Sequence, residues 1–268
     1  MRKTIWWVLL IVGLALLAAI PYLNTFRQPR PIPLPQSSPV EDVPSPAPPA
    51  VIVPRYPLPL PKLETPLPAL DTSDATVRNH ARTLWGDKAV DERFQFKDFI
   101  RRVVATIDNL PRRKVAQRLM PTRPVDGTFT VTGDEHGYFM APENAARYAP
   151  YIALLEAVTP AQLVSLYIRL YPLFQKAYED LGYPGQYFND RLITVIDDAL
   201  AAPDLDTPAK LLRPKVFYVY EDSELEASSA GQKILMRMGR DNAARVKTRL
   251  RAIRAELERQ ASSIKRER

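Results

Sequence analysis

The chain has 268 residues, a formal net charge of +7 and 46% hydrophobic residues, enough for one full-sized domain together with accessory segments. It contains no cysteine, which excludes both a disulfide framework and thiolate chemistry. Glycine is scarce, with 9 residues, whereas proline is abundant, with 27, so the prolines must be concentrated in a segment of unusual structure.

The first predicted element is a membrane-spanning helix. Residues 5–23 carry no charged side chain over 19 positions, within the roughly 17–25 that a bilayer requires. Arg2 and Lys3 precede this run, and two tryptophans follow them at the depth where indole rings favour the membrane interface. A cleaved signal peptide is the alternative, but its apolar core is shorter, about 7–15 residues. The sequence therefore predicts a single-pass anchor that is retained.

The orientation of this anchor follows from its short leading segment. Residues 1–4 form a predicted cytoplasmic tip, which places the part of the chain beyond the anchor outside the cytoplasm. Arg27 and Arg30 lie just beyond the far end, so the count of positive charges on the two sides is nearly balanced. The expected location is the inner membrane, with the opposite orientation left open.

A proline-rich linker is predicted at residues 24–69. Between Pro29 and Pro68, 15 of 40 residues are proline. Proline lacks a backbone donor and disfavours helix at the preceding residue, so polyproline II is the conformation that remains. At about 3.1 Å per residue such a segment acts as a semi-rigid spacer. Its Leu-Pro repeats could also be a ligand for an aromatic groove.

Residues 70–258 predict a mainly α-helical domain, followed by a basic tail at 259–268. Apolar residues spaced three and four apart indicate the helices, and caps or stop residues bound several of them. The predicted helices are 73–85, 96–110, a short one opened by Pro142-Glu143-Asn144 and interrupted at Pro150, one opened by Thr159-Pro160 and kinked at Pro172, 188–200, and two final helices separated at 238–241.

A small β element is predicted beside these helices. Residues 128–132 and 138–140 indicate a hairpin around a glycine-containing turn, and residues 215–220 indicate a strand that pairs with it. The expected fold class is therefore mainly α, with a transmembrane helix, a linker, and a multi-helix domain carrying a hairpin or three-stranded element.

One cluster of polar and aromatic residues is a candidate binding pocket. Tyrosines beside amide and charged groups can line a polar site for a sugar or a peptide. The same residues can instead cap a helix and form internal ion pairs, and this structural alternative is favoured. The candidate residues are Gln175, Tyr183, Tyr187, Asn189, Asp190 and Arg191.

Catalytic and metal sites have weaker support. His80 and His136 are far apart, and His136 lies in a polar turn, so no metal site and no cofactor are predicted. Glu179 follows an aromatic stripe that could raise a carboxyl pKa, as in glycosidases, but no second carboxylate can be placed opposite it. A solvated helix residue is the favoured interpretation, and no catalytic residue is assigned.

The C-terminal helix is strongly basic. Residues 237–268 hold 11 Lys/Arg and 4 Asp/Glu, a net charge of +7. A basic amphipathic helix can bind anionic lipid or another polyanion, although its apolar seam can equally pack on the domain. A nucleic-acid partner is not expected for an exported domain. The basic face consists of Arg245, Lys247, Arg249, Arg251 and Arg254.

Three stretches carry a family resemblance: Ile107-Asp108-Asn109-Leu110-Pro111; residues 171–178 continuing through 181–184 to Phe188-Asn189-Asp190-Arg191-Leu192; and residues 230–239. They resemble a bacterial membrane-anchored family known as domain of unknown function 3014, over most of residues 70–255. The resemblance implies the anchor, linker and domain layout, and it implies no activity.

These observations predict a membrane-tethered, non-catalytic binding or scaffolding protein of the bacterial cell envelope, with an envelope protein or a cell-wall component as partner. Two alternatives remain open. One is a hydrolase that acts on cell-wall glycan or peptide through carboxylates, and the other is a binder of anionic lipid or polyanion through the basic C-terminal helix.

Overall fold

The computed structural model describes residues 52–134 and 136–267, so the predicted anchor at 5–23 lies outside the described residues. This part of the chain is mainly helical and contains ten α-helices and four short strands. The elements are α1 Asp74–Trp85, α2 Asp87–Arg93, α3 Phe99–Asn109, β1 Val131–Asp134, β2 Gly137–Met140, α4 Glu143–Arg147, α5 Ala149–Ala157, α6 Pro160–Asp180, α7 Phe188–Leu200, β3 Lys210–Leu212, β4 Val219–Tyr220, α8 Ser223–Ala227, α9 Ala230–Arg237 and α10 Arg240–Glu267.

Helix α6 lies at the centre of the domain, with α3 and α10 packed against it. Its start confirms the predicted cap, because Thr159 and Gln162 form a capping box and Pro160 occupies the first helical position. The helix continues through Pro172 to Asp180. Eight of its 21 residues are buried, so α6 contributes to the hydrophobic core along most of its length.

The core divides into neighbouring clusters. One joins α1, α3 and α6 around Phe188, which is fully buried and stacks on Phe174 with ring centroids 5.7 Å apart. Removing a side chain of this size from water contributes about 1.5–3 kcal/mol. A second cluster joins Ile168 of α6, Ile193 of α7 and Leu257 of α10. The C-terminal helix is therefore part of the fold.

The sheet has four antiparallel strands in the order β1-β2-β3-β4, which corrects the predicted three-stranded element. The strand expected at 215–220 is reduced to Val219–Tyr220, and it pairs with β3 rather than with the hairpin. Strand β3 pairs in turn with β2. A three-residue strand such as Lys210–Leu212 is too short to produce a recognisable alternation, which explains why it was missed.

Asp74 fixes the start of α3 from a distance of 24 residues. Its carboxylate accepts the backbone N–H groups of Asp98 at 2.8 Å and Phe99 at 2.9 Å. Asp98 has a left-handed backbone, with φ of 54°, so it cannot cap the helix in the usual way. The predicted start at residue 96 is therefore wrong by three residues.

Both predicted ends of the domain differ from the structure. Part of the stretch assigned to the linker at 24–69 packs on the domain, because Tyr56, Leu58 and Leu67 contact its core clusters. At the other end, α10 continues to Glu267 and buries Ala261, whereas a separate tail was expected from 259. Both segments pack on the domain because they carry apolar side chains, whose removal from water is favourable.

Among the helices of the described residues, none is by itself long and apolar enough to cross a bilayer. Helices α5 and α6 reach the required length and composition only as a pair, and they are bent by 81° relative to each other.

Candidate functional site

The clearest feature at the predicted pocket is a contact between α7 and two residues within the proline-rich stretch. The Asp190 carboxylate accepts the backbone N–H groups of Arg55 and Tyr56, each at 2.9 Å. Asn189 Nδ2 donates to the carbonyl of Tyr56 at 2.8 Å. We call this arrangement of Asn189, Asp190, Arg55 and Tyr56 the tether clasp. All three of its hydrogen bonds are to backbone groups of Arg55 and Tyr56, where the chain bends, so it holds this segment at one fixed point.

Burial strengthens the clasp. Asn189 is 1% exposed, and its Oδ1 accepts the hydroxyl of Tyr167 at 3.2 Å, which fixes the orientation of the amide. Burial raises the pKa of the Tyr167 phenol well above its ordinary value, so this hydroxyl stays a neutral donor. Asp190 lies in the first turn of α7, where a carboxylate is favoured by the helix dipole.

Gln175 supports the start of α7 and does not face an empty pocket. Its Oε1 accepts the Phe188 N–H and the Tyr171 hydroxyl, both at 2.9 Å. Its Nε2 donates to the Gln186 carbonyl at 2.7 Å and to Glu179 at 2.9 Å. All four hydrogen-bonding positions of the amide are therefore used. Burial raises the pKa of Tyr171 to about 12, which keeps that phenol protonated.

Arg191 and Tyr183 converge on a buried carboxylate that the sequence did not single out. Asp108 is 2% exposed, and its Oδ1 accepts Arg191 Nε at 3.0 Å. Its Oδ2 accepts Arg112 Nη2 at 2.8 Å and the Tyr183 hydroxyl at 3.2 Å. We call Asp108, Arg112, Tyr183 and Arg191 the Asp108 junction. A buried charge with this many donors is fully compensated.

The three stretches that carry the family resemblance meet at this junction. The first supplies Asp108, and the second supplies Tyr183 and Arg191. The third begins at the start of α9, where the Gly231 N–H donates to the Leu110 carbonyl at 2.9 Å. A Cβ on Gly231 would lie 3.5 Å from the Cβ of Leu110, so the two segments are in close contact. The resemblance therefore marks a structural joint between α3, α7 and α9.

The six predicted pocket residues thus have three different roles. Asn189 and Asp190 belong to the tether clasp, and Tyr183 and Arg191 belong to the Asp108 junction. Gln175 positions the start of α7, while Tyr187 is the half-buried residue that precedes this helix. Of the structural alternative considered for these residues, Arg191 forms an internal ion pair with Asp108, whereas neither Asn189 nor Asp190 caps α7, which begins without a side-chain cap.

The remaining titratable candidates are dispersed. Glu179 is exposed and accepts a hydrogen bond from Gln175. Burial lowers the pKa of His80, and His136 Nδ1 lies 3.3 Å from Asp134 in the exposed hairpin turn. Within residues 52–134 and 136–267, no three His, Asp or Glu side chains are grouped so that they could hold a metal ion.

An open depression of about 430 Å³ lies between α3 and α6. Three of the four charged side chains in its lining are already bonded, all but Asp98; Arg101 donates to Asp180 and to Asp71, each at 2.8 Å. Arg102 is likewise bonded to the carbonyls of Lys97 and Arg118. The depression therefore offers little unpaired charge to a ligand.

Most of the basic face of α10 is used inside the domain. Arg245 forms a bidentate pair with Glu156, and Arg254 Nε donates to Asp197 at 2.6 Å. Lys247 is 3% exposed and donates to the Ala202 carbonyl and to Asp204, each at 2.6 Å. These bonds reduce the charge that the helix could offer to a lipid surface.

The two other arginines of this face differ from each other. Arg249 donates to the carbonyls of Leu155, Glu156 and Val158, which closes the C-terminal end of α5. Arg251 is exposed. The hydrogen bond from Lys247 lowers the pKa of the Asp204 carboxyl most, and the charge of Arg251 lowers it further.

This difference predicts unequal effects on stability. Arg249→Ala is expected to lower the free energy of unfolding by about 1–2 kcal/mol, because it leaves partly buried carbonyls without a donor. The matched variant Arg251→Ala should change it by less than about 0.5 kcal/mol. Urea titration followed by circular dichroism measures both, and equal effects would contradict the assigned role of Arg249.

Sequence reasoning missed two parts of the site. Asp108 lies four residues before Arg112, but Arg112 follows the end of α3 at Asn109, so this spacing gave no signal of a pair on one helix face. Arg55 and Tyr56 lie in proline-rich sequence, where the signal for an extended spacer is the same whether or not the segment docks.

The fold and the joint described above belong to a recognised protein family. The family model described as protein of unknown function (DUF3014) matches residues 99–254. The chain therefore belongs to this family, and the match includes the Asp108 junction and both side chains of the clasp. No curated protein and no solved structure matched the chain.

Proposed function

We propose that the chain is a membrane-tethered, non-catalytic binding or scaffolding protein of the bacterial cell envelope. Residues 5–23 serve as the inner-membrane anchor, and the proline-rich arm carries the helical domain on the periplasmic side. The partner is an envelope protein or a cell-wall component.

The tether clasp is the observation that carries this proposal. Three hydrogen bonds fix Arg55 and Tyr56 to the first turn of α7, so the arm leaves the domain from a defined point. Tension on the arm then passes into α7 and the core around Phe188. The arm comprises residues 24–54, which span at most about 95 Å as polyproline II.

A binding role also accounts for how the polar residues of the family stretches are used. Asn189, Asp190 and Arg191 supply rigidity at a joint, and the exposed surface of the domain is left to contact partners. Rigid presentation of a surface lowers the entropic cost of binding.

The anchor and its orientation are tested in cells. Membranes carrying the full chain should retain it through carbonate extraction, and an alkaline phosphatase fused after residue 268 should be active. Release by carbonate, or activity only of a cytosolic reporter at the same position, would contradict the tether. In vivo crosslinking with mass spectrometry should then recover a reproducible envelope partner, and recovery of none would contradict the binding role.

A further inference from the structure

The β3–β4 hairpin exposes the most solvent-accessible large hydrophobic side chains found in the described residues. Phe217 is 80% exposed and Val216 is 71% exposed, and they are adjacent at the end of the loop. We call these two residues the hairpin tip. Exposed apolar residues that occur singly are ordinary, whereas a contiguous apolar patch marks a candidate contact surface.

The apolar surface continues from the tip onto the outer face of the sheet. Leu212 pairs with Val219, and Phe139 pairs with Lys210, so these four residues share one face. Leu212 is 43% exposed and Phe139 is 39% exposed. The opposite face is buried through Leu211 and Tyr220, which shows that the pattern follows the alternation of the strands.

The base of the loop is held firmly. The ring of Tyr218 contacts Tyr138 and Phe129, with centroid distances of 5.3 Å and 5.9 Å. The Arg213 guanidinium lies 5.4 Å from the centre of the Tyr218 ring. The tip is therefore presented on a packed aromatic base, which reduces the ordering cost of a contact.

Two exposed cations lie next to the tip along the chain. Residues 207–220 contain Lys210, Arg213 and Lys215 and no carboxylate. Lys210 pairs with Glu221 at 2.8 Å, whereas Arg213 and Lys215 are exposed beside the tip. An apolar tip flanked by cations is complementary to a layer in which anionic groups lie above hydrocarbon.

Addition of a partner strand is disfavoured at this edge of the sheet. The N–H of Tyr220 donates to Glu226 Oε2 at 3.0 Å, and the carbonyl of Tyr218 accepts Arg237 Nη2 at 3.4 Å. Side chains thus already occupy backbone groups that an incoming strand would need. A convex tip inserted into lipid needs no complementary groove.

We propose that the hairpin tip inserts into an anionic lipid bilayer, with Val216 and Phe217 at the boundary of the acyl chains and Arg213 and Lys215 against the headgroup phosphates. The inference rests on the proposed tether, which keeps the loop at high local concentration near a bilayer. It places lipid contact on the hairpin, whereas the sequence had pointed to the basic face of α10.

The absence of cysteine provides a direct test, because one introduced cysteine gives a unique label. The full chain carrying Phe217→Cys is labelled with an environment-sensitive fluorophore and reconstituted into vesicles. With phosphatidylglycerol present, the emission should shift to the blue, and the shift should be smaller in phosphatidylcholine alone or at high salt. The control Lys88→Cys, at an exposed position of α2, should not shift.

Charge reversal sharpens this test. Adding Arg213→Glu and Lys215→Glu to the labelled chain should reduce insertion of the tip by at least about thirtyfold, because two attractions to anionic headgroups are lost and become repulsions. Circular dichroism checks that these exposed substitutions leave the fold intact. If position 217 stays as water-exposed as position 88 in both vesicle types, the proposal is overturned, and that is also the result expected if a protein partner covers the tip.

Carbonate extraction of the same vesicles separates this inference from the proposed function. A chain that resists extraction while its 217 probe is exposed to water would retain the tether and overturn lipid insertion of the tip. If carbonate releases the chain, although the probe at position 217 was shielded from water before extraction, the membrane anchor is overturned and lipid insertion of the tip is supported.

Discussion

Replacing Asp108 with alanine is expected to lower the free energy of unfolding by about 3 kcal/mol, because it leaves Arg191 without its carboxylate partner in a partly buried site. Arg191 is bonded to both the side chain and the backbone carbonyl of Asp108, at 3.0 Å and 2.8 Å. Urea unfolding in mild detergent, followed by circular dichroism, measures the change. The matched control is Asp126→Ala, which removes an 80% exposed partner of Arg93 and should cost less than about 1 kcal/mol.

A double variant separates the loss of the ion pair from the loss of packing. Asp108→Ala leaves the charge of Arg191 without its carboxylate partner, and Arg191→Met removes that charge. The destabilisation of the double variant should therefore be smaller than the sum of the two single changes. Additive effects, or a cost for Asp108→Ala no larger than that for Asp126→Ala, would show that the Asp108 junction does not hold the three helices together.

Asp190→Ala is expected to weaken the docking of residues 55–58 on the domain without unfolding it. The substitution removes two charge-assisted hydrogen bonds from the tether clasp, while the Asn189 contact with Tyr56 remains. A net loss of at least about 1.4 kcal/mol corresponds to at least about tenfold more of the undocked state. Trypsin should therefore cleave the bond after Arg55 about tenfold faster in the variant.

The same digestion contains its own reference. Cleavage after Arg27, in the predicted arm, should proceed at the same rate in both proteins, and mass spectrometry distinguishes the two products. The matched variant Glu64→Ala removes an exposed carboxylate from the same stretch and should leave cleavage after Arg55 unchanged. Equal cleavage after Arg55 in the wild type and in Asp190→Ala would mean that Asp190 does not restrain the segment.

Local signals in the sequence predicted much of the helical framework. Residues 188–200 form a helix with the predicted bounds, and the Thr159 cap and the break at Gly239 also lie where expected. Gly239 has a φ of 83°, a backbone that glycine adopts without strain. Such features depend on a few neighbouring residues, so periodicity and capping chemistry are sufficient to find them.

Contacts between distant segments could not be predicted in this way. Asp190 bonds a segment 135 residues earlier in the chain, and Arg191 reaches back 83 residues to Asp108. Nothing local distinguishes a docked extended segment from a free one, because both lack internal hydrogen bonds. Helix α2 was also missed, since Asp87–Arg93 spans only two turns and has one fully buried residue.

Hydrogen exchange resolved to single amides tests the central claim, that the end of the arm is clasped to α7. Between Val53 and Pro59 the prolines have no N–H, so Arg55 and Tyr56 provide two of the four amides of this segment. Both should exchange at least about tenfold more slowly in the wild type than in Asp190→Ala. Exchange of both amides at the rate of an unstructured peptide in the wild type would contradict the clasp and the fixed exit of the arm.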